Sequence, residues 1–269
     1  MDLHLSGRVA VVTGASKGIG LAVTRTLLQE GARIVATSRA GTPELDALAG
    51  TGGLLHVPAD LMDPAAPAEV IARAVETFGG LDILVNNAGG PPPGTKLPQF
   101  GFLGLTDDAW RAMLEFNLLA AVRACRAAIP LLVERGGGSI VNVTSGHARQ
   151  PSAVNVHYGA AKAALANLTK ALSEEFGAQG VRVNSVCPGP VNTPWWTDAG
   201  GAADIIAAAT GSDRATLMTV EAPAMMALVT GRLAEPQEIA DAVVLLASPR
   251  SASTTGSEVV VDSGFLKAA

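Results

Sequence analysis

The segment at residues 8–32, RVAVVTGASKGIGLAVTRTLLQEGA, limits the possible folds of this chain more than any other stretch. Positions 9–12 form a continuous apolar run of mostly β-branched residues, which predicts a strand buried on both faces. Gly14, Gly18 and Gly20 follow, and apolar residues then recur at helical spacing. A strand, a glycine-rich turn and a helix predict the first unit of a dinucleotide-binding fold, because the helix N-terminus presents unpaired N–H groups to a pyrophosphate.

The glycine spacing is Gly-x-x-x-Gly-x-Gly, which differs from the Gly-x-Gly-x-x-Gly of the commonest fingerprint. No Gly-Lys-Ser/Thr follows these glycines at the distance that a P-loop requires. The pattern therefore excludes a P-loop.

Apolar runs and helical patterns alternate along the rest of the chain. The predicted strands are residues 9–13, 33–37, 54–57, 82–86, 139–144, 181–186 and 257–262. The predicted helices lie near 18–30, 64–78, 107–134, 155–177 and 236–247. This alternation predicts an α/β fold, a doubly wound seven-stranded parallel sheet with right-handed crossovers, and one domain over residues 1–269. Thr106 is expected to cap one helix, and Pro236 to open another.

Two segments interrupt the alternation. Residues 89–104 carry four prolines and five glycines, which predicts a loop. Residues 190–232 are long and contain two tryptophans and several methionines. Loops at the carboxyl ends of parallel strands build the binding site in such folds, so the apolar content of both segments predicts a largely apolar pocket.

Composition narrows the class of protein. Hydrophobic residues make up 48% of the 269 residues and aromatic residues only 4%, which predicts an aliphatic, alanine-rich core. The formal net charge is −5, and no cluster of basic residues is long enough for nucleic-acid binding. Cys125 and Cys187 form no Cys-x-x-Cys motif and are expected to be buried free thiols. The four histidines show no metal-binding spacing.

Nothing at the N-terminus has the pattern of a signal peptide, since Asp2, His4 and Arg8 interrupt any apolar stretch. The apolar helix predicted near 118–132 contains Arg123 and Arg126, which we interpret as too polar for a membrane span. A soluble, cytoplasmic protein is expected.

A second motif lies in the C-terminal half. Tyr158 and Lys162 stand one helical turn apart, so the phenol and the ammonium project from the same helix face. A phenol exchanges protons poorly at pH 7 until a nearby cation stabilises its anion. Ser145 ends an upstream apolar segment and can offer a hydroxyl to a reacting oxygen. A nucleophile elbow is excluded there, because Val143 occupies the position of its first glycine.

Together these motifs resemble the short-chain dehydrogenase/reductase family, specifically its 3-oxoacyl reductase-like or ketoreductase-like members. The resemblance runs from about Gly7 to about Gly264. It is carried by Thr13-Gly14-Ala15-Ser16-Lys17-Gly18-Ile19-Gly20, Asp60, Asn86-Asn87-Ala88-Gly89, Asn117, Ser145, Tyr158, Lys162 and Pro188-Gly189.

The resemblance implies roles for the polar residues. Tyr158 would donate a proton, Lys162 would lower the tyrosine pKa and bind the nicotinamide ribose, and Ser145 would polarise the carbonyl. Asn117 would distort its helix locally and hold a water in a proton relay towards Lys162, although a satisfied core amide is the plainer interpretation. The expected substrate-contacting residues are Ser145, His147, Tyr158, Trp195 and Trp196. Residues 190–232 would form the substrate lid.

The resemblance also implies a cofactor site. Asp60 would contact the adenine ring, an interpretation that we favour over a solvated turn residue. The expected cofactor-binding residues are Gly14, Ser16, Lys17, Gly18, Ile19, Gly20, Arg39, Asp60, Leu61, Asn87, Ala88, Gly89, Tyr158, Lys162, Pro188, Gly189, Val191 and Thr193.

The choice between NAD and NADP can be argued from charge. An acidic residue about twenty positions after the glycine turn normally binds the ribose hydroxyls of NAD. Ser38 occupies that place here, Arg39 follows it, and Lys17 adds a cation within the turn. Two cations without a carboxylate suit the 2′-phosphate of NADP, unless Arg39 only solvates the strand end.

The sequence thus predicts an NADPH-dependent reductase that converts a ketone on a small or medium apolar substrate to a secondary alcohol, reversibly. Two alternatives stay open: an NAD-dependent alcohol dehydrogenase working oxidatively, and a non-catalytic regulatory protein that binds the cofactor. By analogy with the family we expect a homotetramer built through the helices near 107–134 and 155–177. No metal, nucleic acid or membrane partner is expected.

Overall fold

A computed structural model of the protein describes residues 1–50, 52–95 and 98–267. Its centre is one seven-stranded sheet in the order β3-β2-β1-β4-β5-β6-β7, and every neighbouring pair is parallel. The strands are β1 (Val9–Thr13), β2 (Arg33–Ser38), β3 (Leu54–Pro58), β4 (Ile83–Asn86), β5 (Gly138–Val143), β6 (Val181–Pro188) and β7 (Glu258–Val261). The predicted fold class is confirmed, and each strand lies within two residues of its predicted bounds.

Helices cover both faces of the sheet. Because side chains alternate along a strand, Ala10 and Val12 of β1 belong to one buried cluster, and Val9 and Val11 belong to the other. The helices are α1 (Gly18–Gln29), α2 (Pro43–Ala49), α3 (Ala66–Phe78), α4 (Asp107–Leu114), α5 (Ala120–Glu134), α6 (Val156–Phe176), α7 (Pro194–Thr197), α8 (Ala202–Thr210), α9 (Arg214–Thr216), α10 (Ala222–Met225) and α11 (Pro236–Ala247). Both clusters are aliphatic and rich in alanine, as composition predicted.

The expected helix starts are present. The Thr106 hydroxyl accepts a hydrogen bond from the Ala109 N–H at 3.2 Å, and Pro236 is the first residue of α11. Glu235 and Glu238 complete a capping box around that proline. Helix α2 was not predicted, because its seven residues are too few to display a helical period.

One π-helical turn, Glu115–Leu119, joins α4 and α5 into a helix of 28 residues. This helix is long and apolar enough to cross a membrane by length and composition, and its most apolar window has a mean hydropathy of 1.6. However, Ala124, Ala128 and Leu132 are buried against the sheet. Packing against the sheet therefore identifies it as a core helix. Arg123 and Arg126, on which the prediction rested, do not exclude a membrane span by themselves.

The 190–232 segment differs from the predicted long loop. It folds into the short helices α7 to α10 around a hydrophobic cluster of its own, which includes Trp196, Leu217 and Leu228. The predicted 89–104 loop falls partly outside the described residues, at positions 96 and 97, and contains one turn of 3-10 helix at Phe102–Gly104. Cys125 and Cys187 are buried and free, as expected.

Candidate active site

The predicted site residues gather at one edge of the sheet. In a parallel sheet all carboxyl ends of the strands point to the same edge. The glycine turn follows β1, Arg39 follows β2, Asp60 follows β3, Asn87 follows β4, and Ser145 follows β5. The sheet therefore brings motifs from distant parts of the chain into one site.

The glycine turn is built by close backbone approach. Gly14 and Gly18 have φ angles of 66° and 56°, a region that L side chains rarely adopt. A Cβ atom on Gly20 would lie 2.2 Å from the Gly14 carbonyl oxygen. Helix α1 starts at Gly18, and no side chain caps it. Its first-turn N–H groups are therefore open to an anion, which fits the phosphates of a dinucleotide.

The segment after β4 is fixed to this turn. The Thr13 hydroxyl accepts hydrogen bonds from the N–H groups of Asn87 and Ala88, each at 3.0 Å. The Asn87 side chain donates to the carbonyl oxygens of Thr13 and Gly14. Asn87 thus shapes the cofactor edge, and Thr13 is a structural partner that its motif position alone did not reveal.

The remaining predicted cofactor residues surround the turn. Thr193 lies beside Gly18, because a Cβ on that glycine would be 3.3 Å from the Thr193 methyl. The Ser16 carbonyl oxygen accepts a hydrogen bond from the Thr42 hydroxyl, and Ile19 packs on the core. Leu61 and Val191 are buried. Pro188 ends β6, and Gly189 lies against Asp262.

The groups expected to recognise the adenosine end are exposed. Arg39 is exposed, and no described residue hydrogen-bonds its guanidinium. Lys17 is also exposed, but its ammonium lies 3.1 Å from a carboxylate oxygen of Asp198 in the 190–232 segment. Asp60 is exposed and accepts a hydrogen bond from the Met62 N–H. One of the two predicted phosphate-binding cations is therefore free, and the other is paired.

Ser145 and Tyr158 meet in the site. Ser145 follows β5, Tyr158 lies in the first turn of α6, and the Ser145 hydroxyl lies close enough to the phenol to lower its pKa. Burial raises the pKa of the Tyr158 phenol above its ordinary value of 10, and the nearby Ser145 hydroxyl offsets part of this rise. Tyr158 is therefore protonated at neutral pH.

Lys162 is almost completely buried one turn further along α6, with 2% of its surface exposed. Its ammonium donates to the Val143 carbonyl oxygen at 2.8 Å and lies 5.9 Å from the centre of the Tyr158 ring. Burial lowers the pKa of Lys162 to about 8. The predicted lowering of the Tyr158 pKa is not found in this structure, because desolvation of the phenol dominates.

Asn117 lies in the π-helical turn, which confirms the predicted helix distortion. Its side-chain oxygen accepts from the Gly90 N–H at 2.8 Å, and its amide nitrogen donates to the Gly90 carbonyl oxygen at 2.9 Å. A Cβ on Gly89 would lie 2.8 Å from the Lys162 ammonium and 3.0 Å from the Asn117 oxygen. The missing side chain at Gly89 therefore lets both groups approach the backbone closely.

The two tryptophans have different positions. Trp195 packs on the small cluster of Met113 and Ala161, on which the proposed proton donor Tyr158 also packs. Trp196 is 6% exposed and belongs to the cluster inside the 190–232 segment. The contact of either tryptophan with substrate stays a prediction, and the burial of Trp196 in that cluster fits the alternative of a core residue.

Three polar residues near Tyr158 in sequence have different surroundings in the structure. His147 lies 6.2 Å from Tyr158 between ring centres, and burial lowers the pKa of its imidazole. Arg149 faces Glu258 at 3.6 Å, and His157 is fully buried against Trp110. Of these three, His147 is the one placed beside the phenol.

Sequence reasoning missed one aromatic residue of this region. Phe265 lies 6.0 Å from His147 between ring centres, although it is more than one hundred positions away in sequence. No motif or periodicity marked it, because it follows the last strand in a short irregular segment.

Comparison with known proteins agrees with this geometry. A family model described as enoyl-(acyl carrier protein) reductase matches residues 14–266. The chain is 35% identical to a 2,5-dichloro-2,5-cyclohexadiene-1,4-diol dehydrogenase of Sphingobium indicum, over 98% of each chain. It is 32% identical to a 3-oxoacyl-[acyl-carrier-protein] reductase of Vibrio cholerae, over 98% of this chain and 99% of that one.

Among solved structures, L-sorbose reductase of Gluconobacter frateurii in complex with NADPH and L-sorbose is similar over the full length of both chains. The TM-score is 0.90, and the sequence identity is 34%.

Proposed function

Because the chain belongs to the short-chain dehydrogenase/reductase family of NAD(P)-dependent oxidoreductases acting on CH–OH or C=O groups, we propose that it is an NADPH-dependent ketone reductase. Its substrate would be small or medium in size and largely apolar, and its product a secondary alcohol. The observation that carries this proposal is the placement of Tyr158 beside the Ser145 hydroxyl, with the ammonium of the buried Lys162 5.9 Å from the centre of the Tyr158 ring.

Each group has a role in the reaction. NADPH, when bound, supplies the hydride. Tyr158 gives its proton to the substrate oxygen, and Ser145 donates a hydrogen bond that polarises the carbonyl. Lys162 holds the nicotinamide ribose, and Asn117 supports proton delivery towards Lys162.

The raised pKa of Tyr158 supports the reductive direction. A proton donor must carry its proton at the working pH, and a buried phenol does so throughout the neutral range. Alcohol oxidation needs the phenolate, which is scarce under the same conditions. A raised pKa of Tyr158 is thus compatible with reduction at neutral pH.

The preference for NADPH rests on the free guanidinium of Arg39, with Lys17 as a second cation. The similar L-sorbose reductase was solved with NADPH, which supports the same choice. The alternative, an NAD-dependent alcohol dehydrogenase, is supported by two observations. The Lys17 ammonium already forms an ion pair with the Asp198 carboxylate, and a similar protein is named a diol dehydrogenase.

The surroundings of Tyr158 support an apolar substrate. Trp195, Met218 and Met226 border the same hydrophobic cluster of the 190–232 segment, which we propose as the substrate lid. The diol dehydrogenase similar to this chain acts on a six-membered ring, a shape that suits such a pocket. We propose Ser145, His147, Tyr158 and Trp195 as the substrate contacts.

The whole chain would act as a single cytoplasmic domain that assembles into a homotetramer. An apolar groove of about 320 Å³ lies between α5 and α6 and supports assembly through these helices. Its apolar lining includes Val122, Cys125, Ile129, Leu168, Leu172 and Phe176. Sedimentation analysis would test this arrangement.

The test of function is a spectroscopic assay with a panel of ketones and alcohols and with both cofactors. We expect ketone-dependent oxidation of NADPH that exceeds the rate with NADH. A higher rate with NADH, or alcohol oxidation as the faster direction at pH 7, would favour the dehydrogenase. Cofactor binding without turnover on any substrate would favour a regulatory protein.

A further inference from the structure

The C-terminal residues 262–267 form a compact turn after β7. The Asp262 carboxylate accepts hydrogen bonds from the N–H groups of Gly264 at 2.8 Å and Leu266 at 2.7 Å. The Phe265 N–H donates to the Asp262 carbonyl oxygen at 3.0 Å. Both carboxylate oxygens are therefore used to hold the turn, and the position of the Phe265 ring is fixed by its own backbone.

This turn places Phe265 against residues 144–155, the segment between β5 and α6 that we call the catalytic loop. A Cβ on Gly146, the residue after Ser145, would lie 2.9 Å from an edge carbon of the Phe265 ring. The same ring lies 6.0 Å from His147, which in turn lies 6.2 Å from Tyr158. Glycine at position 146 thus makes room for Phe265 one residue away from the hydroxyl that meets the substrate oxygen.

The other side of Phe265 packs on the proposed lid. Phe265 is half-buried and borders the hydrophobic cluster of the 190–232 segment, as Trp195, Met218 and Met226 do. The Lys267 ammonium donates to the Ala227 carbonyl oxygen at 2.6 Å, which ties the turn to the end of that segment. Phe265 therefore stands where the catalytic loop, the lid and the C-terminal turn meet.

We propose that Phe265 is a specificity-determining residue that forms one wall of the substrate pocket and limits its size. It selects compact ketones, such as unsubstituted or lightly substituted rings, over ketones with a bulky substituent. This inference rests on the proposed ketone reductase activity and adds a size limit to it. A large rigid ring sets a sharper limit than a flexible side chain, because it cannot move aside without unpacking the lid.

The experiment compares cyclohexanones whose substituent grows from hydrogen to methyl, tert-butyl and phenyl. In the wild type we expect kcat/KM with NADPH to fall as the substituent grows. Phe265→Ala should raise the ratio of kcat/KM for the phenyl compound to that for cyclohexanone at least tenfold, since single methylene groups already change selectivity by about tenfold or more. Phe265→Leu, which keeps most of the packing, should give an intermediate ratio.

Leu266→Ala is the matched control, because it shortens an apolar side chain in the same turn. Its selectivity ratio should stay within about twofold of the wild type. If Phe265→Ala and Phe265→Leu leave the ratio unchanged, or lower kcat/KM equally for all four ketones, the residue is only structural and the proposal is overturned.

A binding measurement separates this proposal from the proposed function. The same ketones are titrated into the NADP⁺-loaded protein, and tryptophan fluorescence reports their binding beside Trp195. If the wild type reduces none of the ketones, the reductase assignment fails, whereas relatively tighter binding of the phenyl compound to Phe265→Ala still supports the size limit. Unchanged relative affinities, or no binding of any ketone to either protein, would overturn it.

Discussion

Two regions of the molecule are built in different ways: the catalytic edge, which comprises Ser145, Tyr158 and Lys162, and the 190–232 segment. Ser145 follows a central strand, and Tyr158 and Lys162 lie on the 21-residue helix α6, which packs on the sheet. The 190–232 segment consists of short helices around a separate cluster, of which the longest is the continuous helix 214–225 with a π turn at Leu217–Glu221. Met225 and Val229 in this segment are 65% and 79% exposed. Segments with few buried contacts open most easily. The contrast predicts that the proposed reacting groups are held rigidly and that the 190–232 segment is the part that moves to admit substrate.

The largest expected effect tests whether the chemistry lies in the rigid part. Tyr158→Phe keeps the ring and its packing but removes the proton donor, so turnover should fall by about 10²–10⁴-fold. The affinity for NADPH should stay within about twofold, as measured by fluorescence titration. In the oxidative direction the rate should rise with pH as a group loses its proton, and that rise should be absent in the variant. Substantial residual turnover would show that Tyr158 is not the acid.

Lys162→Met should separate activity from stability. Turnover and cofactor affinity should both fall, because the ammonium serves the ribose and the phenol. The cofactor-free protein should nevertheless become more stable at pH 7, since the pKa of Lys162 is about 8 when folded and 10.5 when unfolded. This difference corresponds to a cost of about 3 kcal/mol.

The sign of this effect follows from proton binding. Below pH 8 the folded protein carries the full cost of a buried charge, and between pH 8 and 10.5 the cost disappears as the folded lysine loses its proton. Thermal unfolding should therefore show a melting temperature that is several degrees higher for Lys162→Met at pH 7, and the gain should shrink towards pH 10.5. A difference in melting temperature between the two proteins that stays the same from pH 7 to pH 10.5 would contradict the assigned burial cost, because loss of the hydrogen bond to the Val143 carbonyl does not depend on pH.

A smaller effect is expected at the cofactor end. Arg39→Ala should weaken NADPH binding about tenfold and leave NADH binding nearly unchanged, because a charge-assisted hydrogen bond to the 2′-phosphate is lost. Arg25→Ala removes another exposed arginine, on α1, and serves as the control. Equal affinity of the wild type for the two cofactors would refute the assignment of NADP.

The smallest effect concerns the contact between the two regions. Lys17 and Asp198 form an exposed ion pair, which contributes at most about 1 kcal/mol. Asp198→Ala should free Lys17 and tighten NADPH binding by about two- to threefold. It should also speed hydrogen exchange of the amides in α7 and α8 in the absence of ligand.

Hydrogen exchange of the wild type gives the reference for that comparison. The 190–232 segment should exchange faster without ligand than with NADPH and substrate bound. Equal protection in both states would show that the segment is a fixed structural element, and the contrast between the two regions would then fail.

Much of the catalytic edge could be predicted from local pattern. Strand order and parallel pairing place every strand end at one edge, so Ser145, Asn87 and the glycine turn converge once the strands are known. The spacing of Tyr158 and Lys162 predicted a shared helix face, and both lie on α6. The expected distortion at Asn117 is also present. The roles of these residues in catalysis and cofactor binding stay predictions until the variants are measured.

The sequence by itself determined the elements, their order and the motif positions, because periodicity and glycine spacing are local properties of the chain. Tertiary structure decided which groups are paired and which are buried. It pairs Lys17 with Asp198, packs Trp196 inside its own segment, and brings Phe265 to the catalytic loop. It also decided the direction of the Tyr158 pKa, since desolvation depends on every atom that packs around a group and not on its neighbours in sequence.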